Sequence, residues 1–348
     1  KGQVTGKGSY ILDFLGLTSG ITLNFDQKDV GGEILDTLAI TDAIDPLDPS
    51  QVENSNQVSY ESKFSQILKA VYAGAGNDTF NLNRLSQKRT TSLYGGAGND
   101  TYNLKTTAFV GLYGGAGDDQ FILADGAVFK GVLDGEDGLD TLDFGGYTSA
   151  IEIILTKLGE TDGFSGLANN PGALTGKTIL NFLNINNLIG SLSAGQDSLT
   201  GLNAAAVFSL GQDGDERAAQ YESGGRILSF NGFEVLKGGN KNDTFVILGE
   251  QTYDLYGGAG NDTFKFKDQA KLTGLIDGES GSNSLDLSAY SSALTIELSH
   301  VGSVAGFGGV VNNLSDSVIN FTNITSLLGG SNTDTFQGLD AEGTFLLD

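Results

Sequence analysis

Cysteine, methionine and tryptophan are absent from these 348 residues, proline occurs three times and histidine once. Without cysteine no disulfide can form, so rigidity must come from packing or from bound metal. The same absence leaves no thiol nucleophile and no His/Cys cluster for zinc. No apolar run reaches the ~18 residues of a membrane helix, so no membrane span is expected. Positive charge is scarce too: 19 Lys and Arg stand against 43 Asp and Glu, a net charge of −24. Such a balance excludes the basic stripe that nucleic-acid binding requires.

What is abundant is glycine, with 52 residues. The glycines have no period of three, which excludes collagen. Hydrophobic residues make up 39% of the chain and alternate in short runs, which excludes simple disorder. The glycines mark internal repeats. From Leu93 to Leu123 one phrase is written twice: an apolar pair, a glycine corner ending in Asp, then an alternating run. Corners of this kind end at Asp78, Asp100, Asp119, Asp140, Asp197, Asp243, Asp262 and Asp334, and a degenerate one at Asn283. Their spacing is 22, 19 and 21 residues in the first cluster and 19 and 21 in the second.

A constant offset of 143 carries Asp100, Asp119 and Asp140 onto Asp243, Asp262 and Asn283, and Tyr147 onto Tyr290. Further on the register slips by a few residues, pairing Asp197 with Asp334 and Phe208 with Phe345. A partial third copy opens the chain at Tyr10–Phe14, matching Thr141–Phe144. The organisation is therefore read as one continuous domain, 1–348, of supra-repeats about 140 residues long: 1–72 partial, 73–209 second and 210–348 third. The pattern starts and stops inside a repeat, so further repeats or other copies stacked end to end are the expected partners.

Strand dominates the pattern. Ile21–Phe25, Ile151–Leu155 and Leu294–Leu298 are β-rich. A large apolar residue sits two places after each corner (Phe80, Tyr102, Phe121, Leu142, Leu199, Phe245, Phe264, Leu285, Phe336) and is expected to stack inward on its equivalents. One short helix is expected at Asp215–Gln220, and a surface turn at Asp45–Ser50, where two prolines exclude a central strand. A coil of 19 to 22 residues per turn with strands about 4.8 Å apart is a parallel β-solenoid, with room for roughly seventeen turns. The long gaps from Asp140 to Asp197 and from Asn283 to Asp334 read as turns without corners.

The corner itself carries the chemistry. Glycines permit positive-φ turns that aim several carbonyls at one point. Calcium takes six to eight oxygens, so carbonyls completed by carboxylates suit it. The pattern G-G-x-G-x-D-x-U-x is complete at Gly95–Asn103, Gly114–Ile122 and Gly257–Lys265, and partial elsewhere, with Glu136, Lys241 or Asn332 replacing a glycine. It resembles the nonapeptide of the RTX family of calcium-binding β-rolls. That resemblance implies calcium ions, roughly five, held between corners on the same side of successive turns. The expected ligands are Asp78 with Gly74 and Gly76, Asp100 with Gly96 and Gly98, Asp119 with Gly115 and Gly117, and Asp262 with Gly258 and Gly260. Asp140, Asp197, Asp243 and Asp334 complete the expected set, while Asn283 is expected to bind weakly or not at all. A second acid series, Asp13, Asp143 and Asp286, is read as structural.

Catalysis is not expected. The single histidine, His300, has Lys157 at its equivalent position, and acids repeated at every corner differ from the single acidic cleft of a pectate-lyase-like enzyme. Two roles remain. One is a calcium-stabilised structural or adhesive module of a large secreted or surface protein, with cell-surface glycans as possible ligands. The other is the calcium-binding, export-assisting region of a secreted hydrolase or toxin whose catalytic domain lies outside this chain. Both place it outside a bacterial cell, with type I secretion as the route the resemblance implies.

Overall fold

A computed structural model describes residues 10–16, 18–30, 33–42, 58–62, 68–83, 91–171, 178–192, 195–212, 215–313 and 318–339. Among them every regular element is a β-strand. By contacts the chain divides into two compact units, residues 1–152 with 157–195, and residues 153–156 with 196–348. The division falls inside the second of the supra-repeats read from the sequence.

In the first unit the chain alternates between two sheets. The first sheet sets Tyr10–Asp13, Leu68–Ala75, Thr91–Ala97, Val110–Ala116, Leu133–Asp137 and Thr178–Ile185 side by side. The second holds Ile21–Val30, Thr79–Leu82, Thr101–Leu104, Gln120–Ala124, Thr141–Gly146 and Asn187–Ile189. Successive members pair in parallel, with Tyr94 opposite Tyr113 and Tyr102 opposite Phe121. The second unit repeats the plan. Ser198–Thr200, Val235–Lys237, Asp254–Tyr256, Leu275–Asp277 and Val318–Ile324 form its first sheet, and Ala206–Gln212, Thr244–Ile247, Thr263–Phe266, Ser284–Asp286 and Ser326–Leu328 its second. Each unit is a parallel β-solenoid, as the corner spacing implied.

Period-two burial explains why these segments are strands. In Thr101–Leu104 the side chains of Tyr102 and Leu104 are buried and their neighbours are not. The apolar residue after each corner does stack inward. Phe80, Tyr102 and Phe121 lie ring on ring, with centroids 4.5 and 4.9 Å apart. Phe208, Phe245 and Phe264 do the same in the second unit, at 4.6 and 5.0 Å. Phe336 is the exception: it is 47% exposed, on a strand that pairs with Leu294–Val301.

Two expectations need correction. The long gaps are not filled by corner-less turns alone, because antiparallel excursions interrupt the coil. Phe164–Asn169 pairs antiparallel with Thr178–Ile185, and Leu294–Val301, Phe307–Asn313 and Val318–Ile324 form an antiparallel run. Similar excursions follow Ile21–Val30 and Ala206–Gln212. Residues spent in these hairpins are not available for turns, so the roughly seventeen expected were too many. Asp215–Gln220 is not a helix either. It lies within the strand Asp215–Ser223, held between Ala206–Gln212 and Arg226–Asn231. From Ala219 onward that strand buries alternate residues, with Ala219, Tyr221 and Ser223 inside and Glu222 outside. Six residues are too few for a helix to resist two partner strands. The Asp45–Ser50 turn and Phe345 lie outside the described residues.

Candidate metal centre

Each complete corner carries the chain from the first sheet to the second. At Gly115 and Gly117 the backbone has φ of 115° and 129°, a region that side chains make costly. A Cβ at either position would also run into the carbonyl oxygen of its counterpart one turn back, Gly96 or Gly98. Gly74, Gly76, Gly96, Gly98, Gly258 and Gly260 share the positive φ. Glycine is therefore required twice, by conformation and by the close approach of neighbouring turns. Glu136 adopts φ of 70° at the same place, and its duplicate Glu279 adopts 53°. Their amides bond to Asp134 and Asp277 two residues earlier, at 3.1 and 2.8 Å.

The corner aspartates form a column. In the first unit the Ile21 amide donates to Asp78 Oδ1 (2.6 Å), the Asp78 amide to Asp100 Oδ1 (2.7 Å), the Asp100 amide to Asp119 Oδ1 (2.7 Å) and the Asp119 amide to Asp140 Oδ1 (2.9 Å). In the second, the Asp243 amide donates to Asp262 Oδ1 (2.8 Å) and the Asp262 amide to Asn283 Oδ1 (2.9 Å). These side chains are at most 1% exposed. One carboxylate oxygen of Asp78, Asp100, Asp119, Asp140 and Asp262 thus staples two turns together.

The other oxygen has no such partner. Oδ2 of Asp78, Asp100, Asp119, Asp140 and Asp262 is buried and accepts no hydrogen bond. Its direction is fixed by the glycine that opens the corner. Asp100 Oδ2 fills the space where a Cβ on Gly95 would lie, and the Gly114 carbonyl of the next turn stands 2.6 Å from that point. Asp119 Oδ2 converges likewise with the Gly135 carbonyl beside Gly114, and Asp262 Oδ2 with the Gly278 carbonyl beside Gly257. A carboxylate and carbonyls without a donor between them are an incomplete site for a hard cation. The residues present therefore fit calcium. Among the described residues no three Asp, Glu or His side chains cluster, because each corner brings one carboxylate and the backbone brings the rest.

Electrostatics agree. Burial, partly offset by the stapling amides, pushes the carboxyls of Asp78 and Asp243 up to about 6, and those of Asp100, Asp140 and Asp262 to about 7. Asp119 rises to about 8, with Asp100 and Asp140 adding repulsion to the dominant burial. Removing this cost requires either protons or a cation.

Asn283 shows the alternative. Its Nδ2 donates to the carbonyls of Gly278 (2.6 Å) and Asn323 (3.3 Å), so an amide hydrogen occupies the place of a cation. The expectation that Asn283 binds weakly or not at all has this physical basis.

Asp197 and Asp334 stand elsewhere. Their corners run from the second sheet to the first, since each precedes a first-sheet strand, Ser198–Thr200 or Thr335–Gln337. Local geometry is kept at Asp334, whose Oδ2 accepts the Gly330 amide (2.8 Å) and whose Oδ1 accepts the Leu294 amide (2.9 Å). At Asp197 the amide donates to Glu234 Oε2 (2.8 Å). These two are therefore not part of the carboxylate column. Asp243 belongs to it but uses Oδ2 on the Gly239 amide (2.7 Å).

Several residues escaped the sequence pattern. Asn186 takes the amide of Asp140 (3.3 Å) in a turn with no glycine corner. Asn184 and Asn323, at φ of 53° and 55°, pin the hairpins through Asp134 and Asp277 (both 2.6 Å). The one available signal was their duplication at a shifted offset of 139. The second acid series is structural: Asp13, Asp143 and Asp286 cap amides two residues on, at 2.9, 2.6 and 3.0 Å. His300 is exposed and bonds Ser299 and Thr322 hydroxyls (2.9 and 3.2 Å).

The family described as Peptidase M10 serralysin C terminal matches residues 112–343, about two-thirds of the chain. No curated protein matches. Serralysin-type repeats are RTX-type and bind calcium, in keeping with the corner chemistry above. The chain belongs to the Peptidase M10 serralysin C-terminal family.

Proposed function

We propose that this chain is the calcium-binding, export-assisting region of a secreted hydrolase, of the peptidase kind its family name indicates, with the catalytic domain outside these residues. The observation that carries the reading is the column of buried carboxylates, each with one oxygen left without a donor. Calcium, when bound, would supply the positive charge that this column lacks. Where calcium is scarce, desolvated and mutually repelling carboxylates oppose folding, which keeps the chain suited to export through a type I channel. Outside the cell the same residues gain their counter-ion and the solenoid closes. The expected stoichiometry is about five ions per chain, with Asp78, Asp100, Asp119, Asp140, Asp243 and Asp262 as carboxylate ligands. Asp197 and Asp334 are left out of that set.

A structural or adhesive module, stacked end to end on further copies and touching surface glycans, rests on the repeats alone and draws nothing from the family match. Calcium titration of the chelated chain separates the possibilities. Strand ellipticity should appear with calcium and vanish with chelator, and the calcium-loaded chain should stay monomeric by light scattering. Full strand signal in chelator would end the calcium reading, and calcium-dependent filaments would favour the fibre.

A further inference from the structure

The last glycine corner of the first unit, Gly135–Asp140, differs from those before it because no glycine corner follows. In earlier turns the fourth residue of the corner donates its amide to a backbone carbonyl of the next turn: Gly98 to Ala116 (2.8 Å) and Gly117 to Asp137 (2.9 Å). At Gly138 that acceptor is instead a carboxylate, Asp162 Oδ2, at 2.9 Å. Asp162 comes from the loop between the strands Glu152–Leu158 and Phe164–Asn169. That loop is held in place by the Thr161 amide on Asn184 Oδ1 (3.1 Å). The carbonyl that faces the corner carboxylate is also replaced: beside Gly135, Asp140 Oδ2 converges with the Asn184 carbonyl, where Gly114 and Gly135 serve the turns below. Asp140 is fully buried and its Oδ2 accepts no hydrogen bond.

We propose that Asp140, Asp162 and the Asn184 carbonyl complete a terminal calcium site, in which a hairpin carboxylate substitutes for the missing next corner. The proposal rests on the calcium-binding reading above and extends it to residues outside the nonapeptide. The second unit provides an internal control. There the offset of 143 places Asn283 at the position of Asp140 and Ala305 at that of Asp162. The loop is otherwise retained, with the Val304 amide on Asn323 Oδ1 (2.9 Å), as Thr161 is on Asn184. Both carboxylates are missing together, and the Asn283 amide closes the space with its own hydrogen bonds. A carboxylate that only capped the Gly138 amide would have no reason to vanish with its partner. Repulsion from Asp162, secondary to burial, contributes to the raised carboxyl of Asp140.

Counting calcium bound to the full chain by equilibrium dialysis or native mass spectrometry tests this. Asp162→Asn keeps an oxygen for the Gly138 amide and removes the charge, so folding is preserved while one ion per chain should be lost. Asp140→Asn should lose one ion, and the double variant that same single ion. Asn283→Asp with Ala305→Asp should gain one. If Asp162→Asn keeps the wild-type count and affinity, Asp162 is an amide acceptor only and the terminal site is overturned, while the corner sites stand. If the wild-type chain binds no calcium, the calcium reading falls and this site with it.

Discussion

Asn99 and Asp100 are adjacent in the chain but bond in opposite directions along the stack. The Asn99 amide reaches back one turn to Asn77 Oδ1 (2.9 Å), whereas the Asp100 amide reaches forward to Asp119 Oδ1 (2.7 Å). Their side chains complete the lattice, Asn99 Oδ1 accepting from Asp118 (3.0 Å) and Asp100 Oδ1 from Asp78 (2.7 Å). Each turn is thus fastened to both neighbours within two residues. The outer Asn is exposed and the inner Asp buried, so the same bond carries different weight in the two places.

Asn99→Ala should therefore cost about 1 kcal/mol or less, because water can replace the lost side-chain oxygen. Asp100→Ala leaves the buried Asp78 amide without an acceptor and should cost about 2–3 kcal/mol before any loss of calcium is counted. Urea denaturation of both variants in saturating calcium measures the difference. Equal losses would mean that the inner staple is no stronger than the outer one.

The solenoid and the carboxylate column were legible because one residue type recurs at a fixed place. Glycine at positive φ, Asp at the staple and a large apolar residue two places on are each set by local geometry repeated every turn. Which edge a corner occupies was not legible. Asp334 and Asp262 satisfy similar local patterns, yet one turns into the first sheet and the other into the second. The hairpin excursions were missed for a related reason: alternation reads the same for parallel and antiparallel strands, and only the register of Phe164–Asn169 against its neighbour decides. Asn186 was invisible because its turn keeps the staple and drops the glycines.

The pH dependence follows from the raised carboxyls. Asp119 moves from 3.8 to about 8 and Asp78 to about 6 in the metal-free fold. Between these limits and the unfolded value, the folded chain holds protons that the unfolded chain has released. Stability of the metal-free form is therefore greatest at acid pH, near 4, and falls as pH rises through 6 to 8. Global repulsion at a net charge of −24 acts in the same direction. Asp119→Asn separates the two, since it should flatten the slope above pH 6 while changing net charge by only one. Melting temperatures in chelator from pH 5 to 8.5 give the comparison, and parallel slopes would assign the effect to global charge. With calcium present the order reverses, because ligands must lose their protons.

Glu136 sits at φ of 70° where neighbouring corners have glycine. Its bond to Asp134 Oδ1 uses only the backbone amide of Glu136 and survives substitution. Glu136→Gly should relieve the strained conformation and stabilise the chain by about 0.5–1 kcal/mol in calcium, less the entropy that glycine adds to the unfolded state. A lower melting temperature would show that the Glu136 carboxylate itself contributes, as a ligand would.

Asn283→Asp reverses the one corner that the second unit closes without charge. The substitution replaces the Nδ2 that donates to Gly278 and Asn323 with an oxygen facing the same two carbonyls. Three acceptors then meet without a donor in a buried space, so the chelated chain should lose about 2–4 kcal/mol. The staple to Asp262 uses Oδ1 and is unaffected, which confines the damage to this cradle. Calcium should recover part of that loss, because the new carboxylate and the Asn323 carbonyl beside Gly278 recreate the pairing of Asp262 Oδ2 with the Gly278 carbonyl beside Gly257. Recovery should stay incomplete while Ala305 remains, as the cradle still lacks the second carboxylate that Asp162 brings in the first unit. Thermal denaturation of the variant with and without calcium reads both quantities. A variant as stable as wild type in chelator would mean that the Asn283 amide contributes nothing at this corner.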